Sequence, residues 1–338
     1  MTVNELIQAL PKAELHVHLL GAVRPSTLLE IIDESDIQTD LDSIEDIRSL
    51  FQFRDFQHFI EVYMTVVGLV REEKYFEPMT YEMLEECYKQ NTKYVELSFS
   101  PLDHMQFGLD FHQMLNRIHS ARKRARDRFG IVSDVRIDLV RSNNVATAMD
   151  ILDLIEEALP GIVSIDIGGN EAKFPPGPYA PVYKRAHNMG LHLVAHAGEA
   201  AGPRSIWDAV DLLGVERIGH GVSAKGDDRL LRHLREKRIV IEACPVSNVR
   251  TGVVPDISKH PVRDFFDSGL IVTVNSDDPS LFNTDLTNEY LQLHEHLGFT
   301  VEELYNLSVN AANSAFIPES TRAMLLKALQ SDYEHLTQ

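Results

Sequence analysis

Cysteine is scarce in this chain. Only Cys87 and Cys244 occur among 338 residues, with no CxxC spacing, which excludes a disulfide framework and leaves two reduced thiols as the expectation. Long apolar runs are missing as well. None approaches the ~20 residues needed to cross a bilayer, and the N-terminus lacks the basic-then-apolar pattern of an export signal. The expected location is cytoplasmic, with no membrane partner. Positive charge is in deficit: 32 Lys and Arg stand against 51 Asp and Glu, a formal net charge of −19. Such a field repels phosphate backbones and argues against nucleic acid, while a small neutral molecule remains open as a partner. No glycine-rich phosphate turn follows an early strand pattern, which speaks against a doubly wound open sheet.

What the chain does have is alternation. Short β-branched runs at 14–19, 94–100, 134–141, 162–169, 191–199, 217–222, 240–248 and 270–278 are separated by amphipathic stretches such as 111–128, 145–158, 178–189, 205–213 and 228–237. Strands alternating with helices predict a parallel sheet, and eight such units predict a (β/α)8 TIM barrel. Thr2 to Glu5 and Thr300 to Glu303 read as capping boxes. A long insertion after the first run contains FQFRDFQHFIEVYMTVVGLV (51–70), an apolar helical stretch placed to serve as a lid. No repeat or linker interrupts the chain, so a single domain over 1–338 is expected.

Nearly every run ends in His, Glu, Asp or Asn, which on a barrel is the catalytic end. In ELHVHLLGA, His16 and His18 are two apart, so on a strand they project together and can hold one Zn²⁺ through nitrogens at about 2.0–2.1 Å. LHEHL (293–297) has the same spacing but reads as helix, where His294 and His296 diverge. Catalytic zinc wants a third ligand, and His196, His220 and Asp277 all end strands, with Glu199 and Asp278 at the same rim. His260 and the remaining histidines lack such company and read as packing or surface residues, and Trp207 reads as core.

ELHVHLLGA, IDIGGNE, HAGEAAGP, RIGHG, CPVSN and NSDDP, in this order, closely resemble the adenosine deaminase family of the amidohydrolase superfamily, from Pro11 to about Ala315. The resemblance implies a barrel with one zinc per chain that hydrolyses the 6-amino group of a purine nucleoside and releases ammonia. By motif it implies His16, His18, His196 and Asp277 as zinc ligands and Glu199 as the acid that protonates purine N1. It further implies His220 and Asp278 as the groups that orient and deprotonate the water, Asp278 also facing N7, and Gly169 as the backbone amide that meets N3. The other zinc deaminase type needs a PCxxC pair, which this chain lacks.

Two positions depart from the resemblance. Relatives acting on adenosine read HLDG, whose aspartate accepts a hydrogen bond from the 5′-hydroxyl; here that position is Leu20. Ser98 stands where relatives commonly have arginine. Leucine at 20 leads us to expect a ligand whose 5′ end is no free hydroxyl, as in methylthioadenosine or aminodeoxyfutalosine, selected together with Phe56 and Phe59 of the insertion. Adenine is a third candidate, although the adenine branch tends to carry glutamate after the histidine pair. A catalytically silent nucleoside-binding barrel would have lost a ligand or the acid, and none is lost. A two-metal hydrolase would need a lysine at a strand end, and none is offered.

Overall fold

A computed structural model describes residues 1–141, 144–158 and 161–338. Eight parallel strands follow one another around the sheet in chain order: β1 (Lys12–His18), β2 (Thr92–Phe99), β3 (Val132–Asp138), β4 (Ile162–Asp166), β5 (His192–Ala197), β6 (Arg217–His220), β7 (Val240–Ala243) and β8 (Ile271–Val274). The ends of the sheet meet through a bridge between Val17 and Asp277. There Asp277 N–H donates to the His16 carbonyl at 3.1 Å, and His18 N–H donates to the Asp277 carbonyl at 2.7 Å. All eight expected strands are present, and the expected TIM barrel is the fold.

Helices flank the sheet, which is why the strands are buried on both faces and read as continuous apolar runs; every residue of β1 is buried. Both capping boxes form, Thr2 with Glu5 and Thr300 with Glu303. The LHEHL segment lies in helix Leu286–Leu297, and Trp207 is only half-buried, its Nε1–H donating to Asp227 at 3.2 Å. The insertion between β1 and β2 holds helix Phe56–Leu69, started by the Asp55 side chain accepting the His58 N–H. Among the described residues no helix is long and apolar enough to cross a membrane.

The barrel interior below the mouth is charged. Arg136 on β3 pairs with Glu242 on β7 through two contacts of 2.9 Å and with Asp166 on β4 at 3.0 Å. Arg217 on β6 pairs with Glu242 at 2.9 Å and with Glu96 on β2. All five side chains are essentially inaccessible to solvent, an arrangement tolerated only because each charge has an opposite neighbour.

Candidate active site

His16 and His18 sit on β1 with Val17 between them packed into the core, as the two-residue period of a strand requires. Asp277, just past β8, brings its carboxylate to both: Oδ1 lies 3.2 Å from His16 Nε2 and 3.3 Å from His18 Nε2, and the two imidazole nitrogens are themselves 3.3 Å apart. The His196 ring, at the end of β5, lies 4.5 Å from that of His16 and 5.4 Å from that of His18, centroid to centroid. His16, His196, His220 and Asp277 form one group whose ligand atoms lie within 4.8 Å of one another, and His18, Asp277 and Asp278 form another.

This donor set fits one metal ion. Corners of a tetrahedron with metal–ligand bonds of about 2.0–2.1 Å stand about 3.3–3.4 Å apart, the spacing already held by His16, His18 and Asp277. The local field also favours positive charge: burial alone would lower the His16 imidazolium pKa, but Asp277 and Glu242 outweigh burial and raise it to about 9. Behind the donors stand orienting carboxylates. Glu242 Oε2 lies 3.0 Å from His16 Nδ1 and Asp166 Oδ2 3.1 Å from His196 Nδ1, the carboxylate–histidine arrangement that fixes ring and tautomer at metal sites. Arg136 holds both of these carboxylates.

Backbone geometry is bent to make the cluster. His220 and Asp277 both have left-handed backbone, φ 65° and 63°, a strain of about 1–3 kcal/mol each for such residues. Two glycines make room. A Cβ at Gly219 would lie 2.9 Å from His16 Cε1, and one at Gly21 would lie within the Asp278 side chain. The glycines of RIGHG and HLLG are thus clearances for the site.

A cavity of about 290 Å³ opens over the cluster, lined by His18, His196, Glu199, His220, Asp277 and Asp278 below and by Phe56, Phe59, Ile60, Tyr63 and Met64 of helix Phe56–Leu69 above; Ser100, Asp103, Asp138, Val140 and Gly168–Asn170 complete it. Among the described residues no lysine or arginine lines it. Burial pushes the Glu199 carboxyl well above the usual carboxylate range, and Asp277 and Glu171 add to the push. Burial likewise raises Asp278 to about 7, with His18 opposing and Asp277 assisting. The Asp278 Oδ1 is buried without a hydrogen-bond partner among the described residues, an acceptor kept for something else.

The structure thus brings nearly all the expected site residues to one mouth: His18, Gly169, Phe56, Phe59, Glu199, His220, His196, Asp277 and Asp278 line the cavity, and His16 lies beneath it. Leu20 is the exception and corrects the expectation. It is 5% exposed, belongs to the apolar core and does not line the cavity. The strand ends at His18, and Leu20 begins a 3₁₀ turn, Leu20–Ala22, so the two-residue alternation that aims His16 and His18 no longer applies. Ser98, paired in register with His18, is buried within the sheet and does not reach the cavity either.

Other residues escape a reading by motif. Glu171 accepts backbone N–H groups from Gly198 (2.5 Å), Glu199 (3.1 Å), Ala200 (2.8 Å) and Ala201 (2.9 Å), and so fixes the loop that carries Glu199. Its carboxylate in IDIGGNE, just beyond a Gly-Gly turn at a strand end, was the available signal. Asp138, ending β3, accepts from Gly168 N–H at 2.7 Å and from Ser100 Oγ at 3.1 Å. Asp103 stands nearby, raised to about 7 by burial and then by Asp138.

Comparison with known proteins agrees with this construction. The family profile described as adenosine deaminase matches residues 11–332. An aminodeoxyfutalosine deaminase of Streptomyces avermitilis is 37% identical over 328 residues, 95% of this chain and 91% of that one. An adenine deaminase of Pseudomonas putida is 34% identical over 316 residues, 93% of this chain and 99% of that one. A crystal structure of an amidohydrolase from Burkholderia ambifaria with bound Zn superposes with a TM-score of 0.91 at 26% identity, covering 99% of this chain and 93% of the other. A barrel with a histidine–aspartate metal cluster at its mouth, matched along nearly its whole length, places this chain in the adenosine deaminase family.

Proposed function

We propose that this enzyme, a hydrolytic deaminase by family, removes the 6-amino group of a purine nucleoside, with one zinc per chain held by His16, His18, His196 and Asp277. The observation that supports the reading is the convergence, in one cavity, of a tetrahedrally spaced donor set with a carboxyl held in its acid form and a second carboxylate whose buried oxygen has no partner among the described residues. A zinc ion bound there supplies an activated water at neutral pH.

The chain's own residues move the protons. Glu199, kept protonated by burial, donates to N1, so that C6 can accept the water oxygen. Asp278 takes one water proton and passes it to the amino group. The C6–N bond then breaks and ammonia leaves. As C6–O becomes a carbonyl, the second water proton returns to Glu199, and the site is reset. The Gly169 amide meets N3, and His220 stands beside the attacking oxygen. Helix Phe56–Leu69 acts as the lid.

The cavity's far end favours a nucleoside over a bare base or a nucleotide. Asp103, Asp138 and Ser100 offer acceptors for sugar hydroxyls, whereas a phosphate would meet carboxylates and, among the described residues, no lysine or arginine. The apolar face of the lid, with Phe56, Phe59, Ile60 and Met64 lining the cavity, suits a 5′-thioether or larger apolar group. A 5′-hydroxyl buried there without a partner costs ~1–3 kcal/mol, roughly 5- to 150-fold in kcat/KM. The test is ammonia release from adenine, adenosine, a 5′-alkylthioadenosine and AMP. The expected order places the thioether first and AMP last. Preference for adenine would overturn the nucleoside reading, preference for AMP the charge argument, and preference for adenosine the apolar 5′ end.

A further inference from the structure

His220 can reach the reacting centre through one ring nitrogen only. Its Nε2 lies 3.7 Å from Glu199 Oε2 and 3.9 Å from Asp277 Oδ2. Its Nδ1 points the other way, 3.1 Å from the Asn248 side-chain nitrogen. Asn248, in the helix Pro245–Arg250 that follows β7, places its Oδ1 3.1 Å from His260 Nε2. The chain of contacts ends at a backbone group: Val262 N–H donates to His260 Nδ1 at 3.2 Å. Asn248, His220 and His260 are at most 2% exposed.

Side-chain amide orientations and imidazole tautomers are ambiguous when a network consists of side chains alone. Here one end is fixed, because a backbone amide can only donate. Val262 opens helix Val262–Asp267, where a first-turn N–H has no carbonyl within the helix. His260 Nδ1 must therefore be the bare nitrogen, and its single proton is on Nε2. That proton makes Asn248 Oδ1 the acceptor. The Asn248 amide N–H then faces His220 and donates to its Nδ1. His220 is left with its proton on Nε2, facing the cavity.

We infer that Val262 N–H, His260 and Asn248 form a polarity relay that locks His220 as the Nε2–H tautomer, so that His220 enters the reaction as a hydrogen-bond donor and not as a base. Its Nδ1 lone pair is taken by Asn248, and its Nε2 has no lone pair to offer. His220 donates to the attacking oxygen and holds one of its lone pairs away from C6, and the pair freed when Asp278 takes the proton is the one that attacks. The water's first proton therefore goes to Asp278 alone. Asn248 and His260 are positioning residues: they act on the reaction only through His220. This rests on the reading of the mouth as a deaminase site, but the relay's polarity is a property of the resting protein.

The experiment reads that polarity directly. In the zinc-loaded protein with ¹⁵N-labelled histidine rings, a long-range ¹H–¹⁵N correlation shows which nitrogen of each ring carries the proton; His220 is identified by its loss in His220→Gln. Protonated Nε2 and bare Nδ1 are expected at both His220 and His260. A proton on His220 Nδ1, or a doubly protonated ring at neutral pH, overturns the relay. Asn248→Asp puts an acceptor on both sides, so the His220 proton should move to Nδ1, and kcat should fall ~10–100-fold with KM little changed and metal retained, the scale of lost outer-shell partners. His260→Gln keeps an acceptor for Val262 N–H and a donor for Asn248, and should keep the wild-type tautomer. Equal losses in the two variants, with the tautomer unmoved, would make the chain mere packing. The spectrum needs no substrate, so a wrong substrate assignment leaves its answer intact, and misfolding of either variant leaves the wild-type measurement decisive.

Discussion

Below the mouth of the barrel, Glu96, Asp166 and Glu242 share the guanidiniums of Arg136 and Arg217. At the mouth, Glu199, Asp277 and Asp278 line one cavity with no arginine or lysine among the described residues of its walls. The residue types and the burial are alike, and the consequences are opposite. Burial alone would push the Glu242 carboxyl up, but Arg136 and Arg217 outweigh it and hold it down at about 2. Glu199, whose cavity has no arginine or lysine among its described walls, is pushed well above its usual range by burial, with Asp277 and Glu171 adding to it. The lower cluster is a completed circuit of charge that stabilises strands. The upper one is completed only by what binds. In a buried polar cluster, the place where the chain stops supplying counter-charge is the place to look for chemistry.

Removing the metal should separate the two clusters most sharply. Exhaustive chelation is expected to abolish turnover, by several kcal/mol of lost barrier lowering or on the order of 10³-fold and more, and readdition of zinc should restore it. The stripped protein should still unfold cooperatively, less stable by about 4 kcal/mol relative to protein at a free zinc concentration 1,000-fold above Kd. Full activity after stripping would sink the assignment of the upper cluster. Next in size is Glu199→Gln, which keeps shape and removes the transferable proton. We expect kcat to fall by ~10²–10⁴ at unchanged zinc content, with stability unchanged or raised, because a strained buried carboxyl is gone. Near-normal kcat would give N1 another proton donor.

The mirror experiment is Arg136→Met. It leaves Glu242 and Asp166 buried without their shared cation, and unfolding free energy should drop by ~3–5 kcal/mol. Because those two carboxylates also orient His16 and His196, zinc affinity should weaken with it. Urea unfolding and zinc titration check both, and a variant as stable as the parent would show that the lower cluster is not held by its arginine. The smallest effect is acid sensitivity of the metal-free protein. Glu242 titrates at about 2 when folded against 4.5 ordinarily, so the unfolded chain takes up the proton first as pH falls. Its contribution, about 3 kcal/mol, is present above pH 4.5 and is lost as pH falls through that window toward 2. Stability that stays flat there would contradict the pairing.

How much of this was legible follows from what a strand makes periodic. Buried parallel strands are apolar runs, so all eight could be read directly. Groups at strand ends inherit a common direction, so His16, His18, His196, Glu199 and Asp277 could be placed together before any coordinates. Legibility fails where regular backbone stops. Leu20 was aimed at the ligand by its place in the family motif, but a 3₁₀ turn begins there and turns the side chain into the core. Glu171 acts on a loop 28 residues later through backbone amides that carry no sequence identity. His260 looked solitary because its partners are a side chain twelve residues before it and one backbone N–H.

The bridge that closes the barrel ties Asp277 to His16 and His18 by backbone as well as by side chain. Of the ligands proposed above, the first to leave the ribosome therefore wait for the last. A nascent chain that has not yet extended past Asp277 carries two exposed imidazoles, an unpaired β1 edge and no carboxylate to complete them. Metal capture should thus be a late event in biogenesis, coincident with closure of the final strand pair. Such long-range closure folds slowly and leaves open edges in the meantime. A cell short of the metal would accumulate barrels that are shut but unoccupied, and the burden of quality control would fall on the seam between the first and last strands.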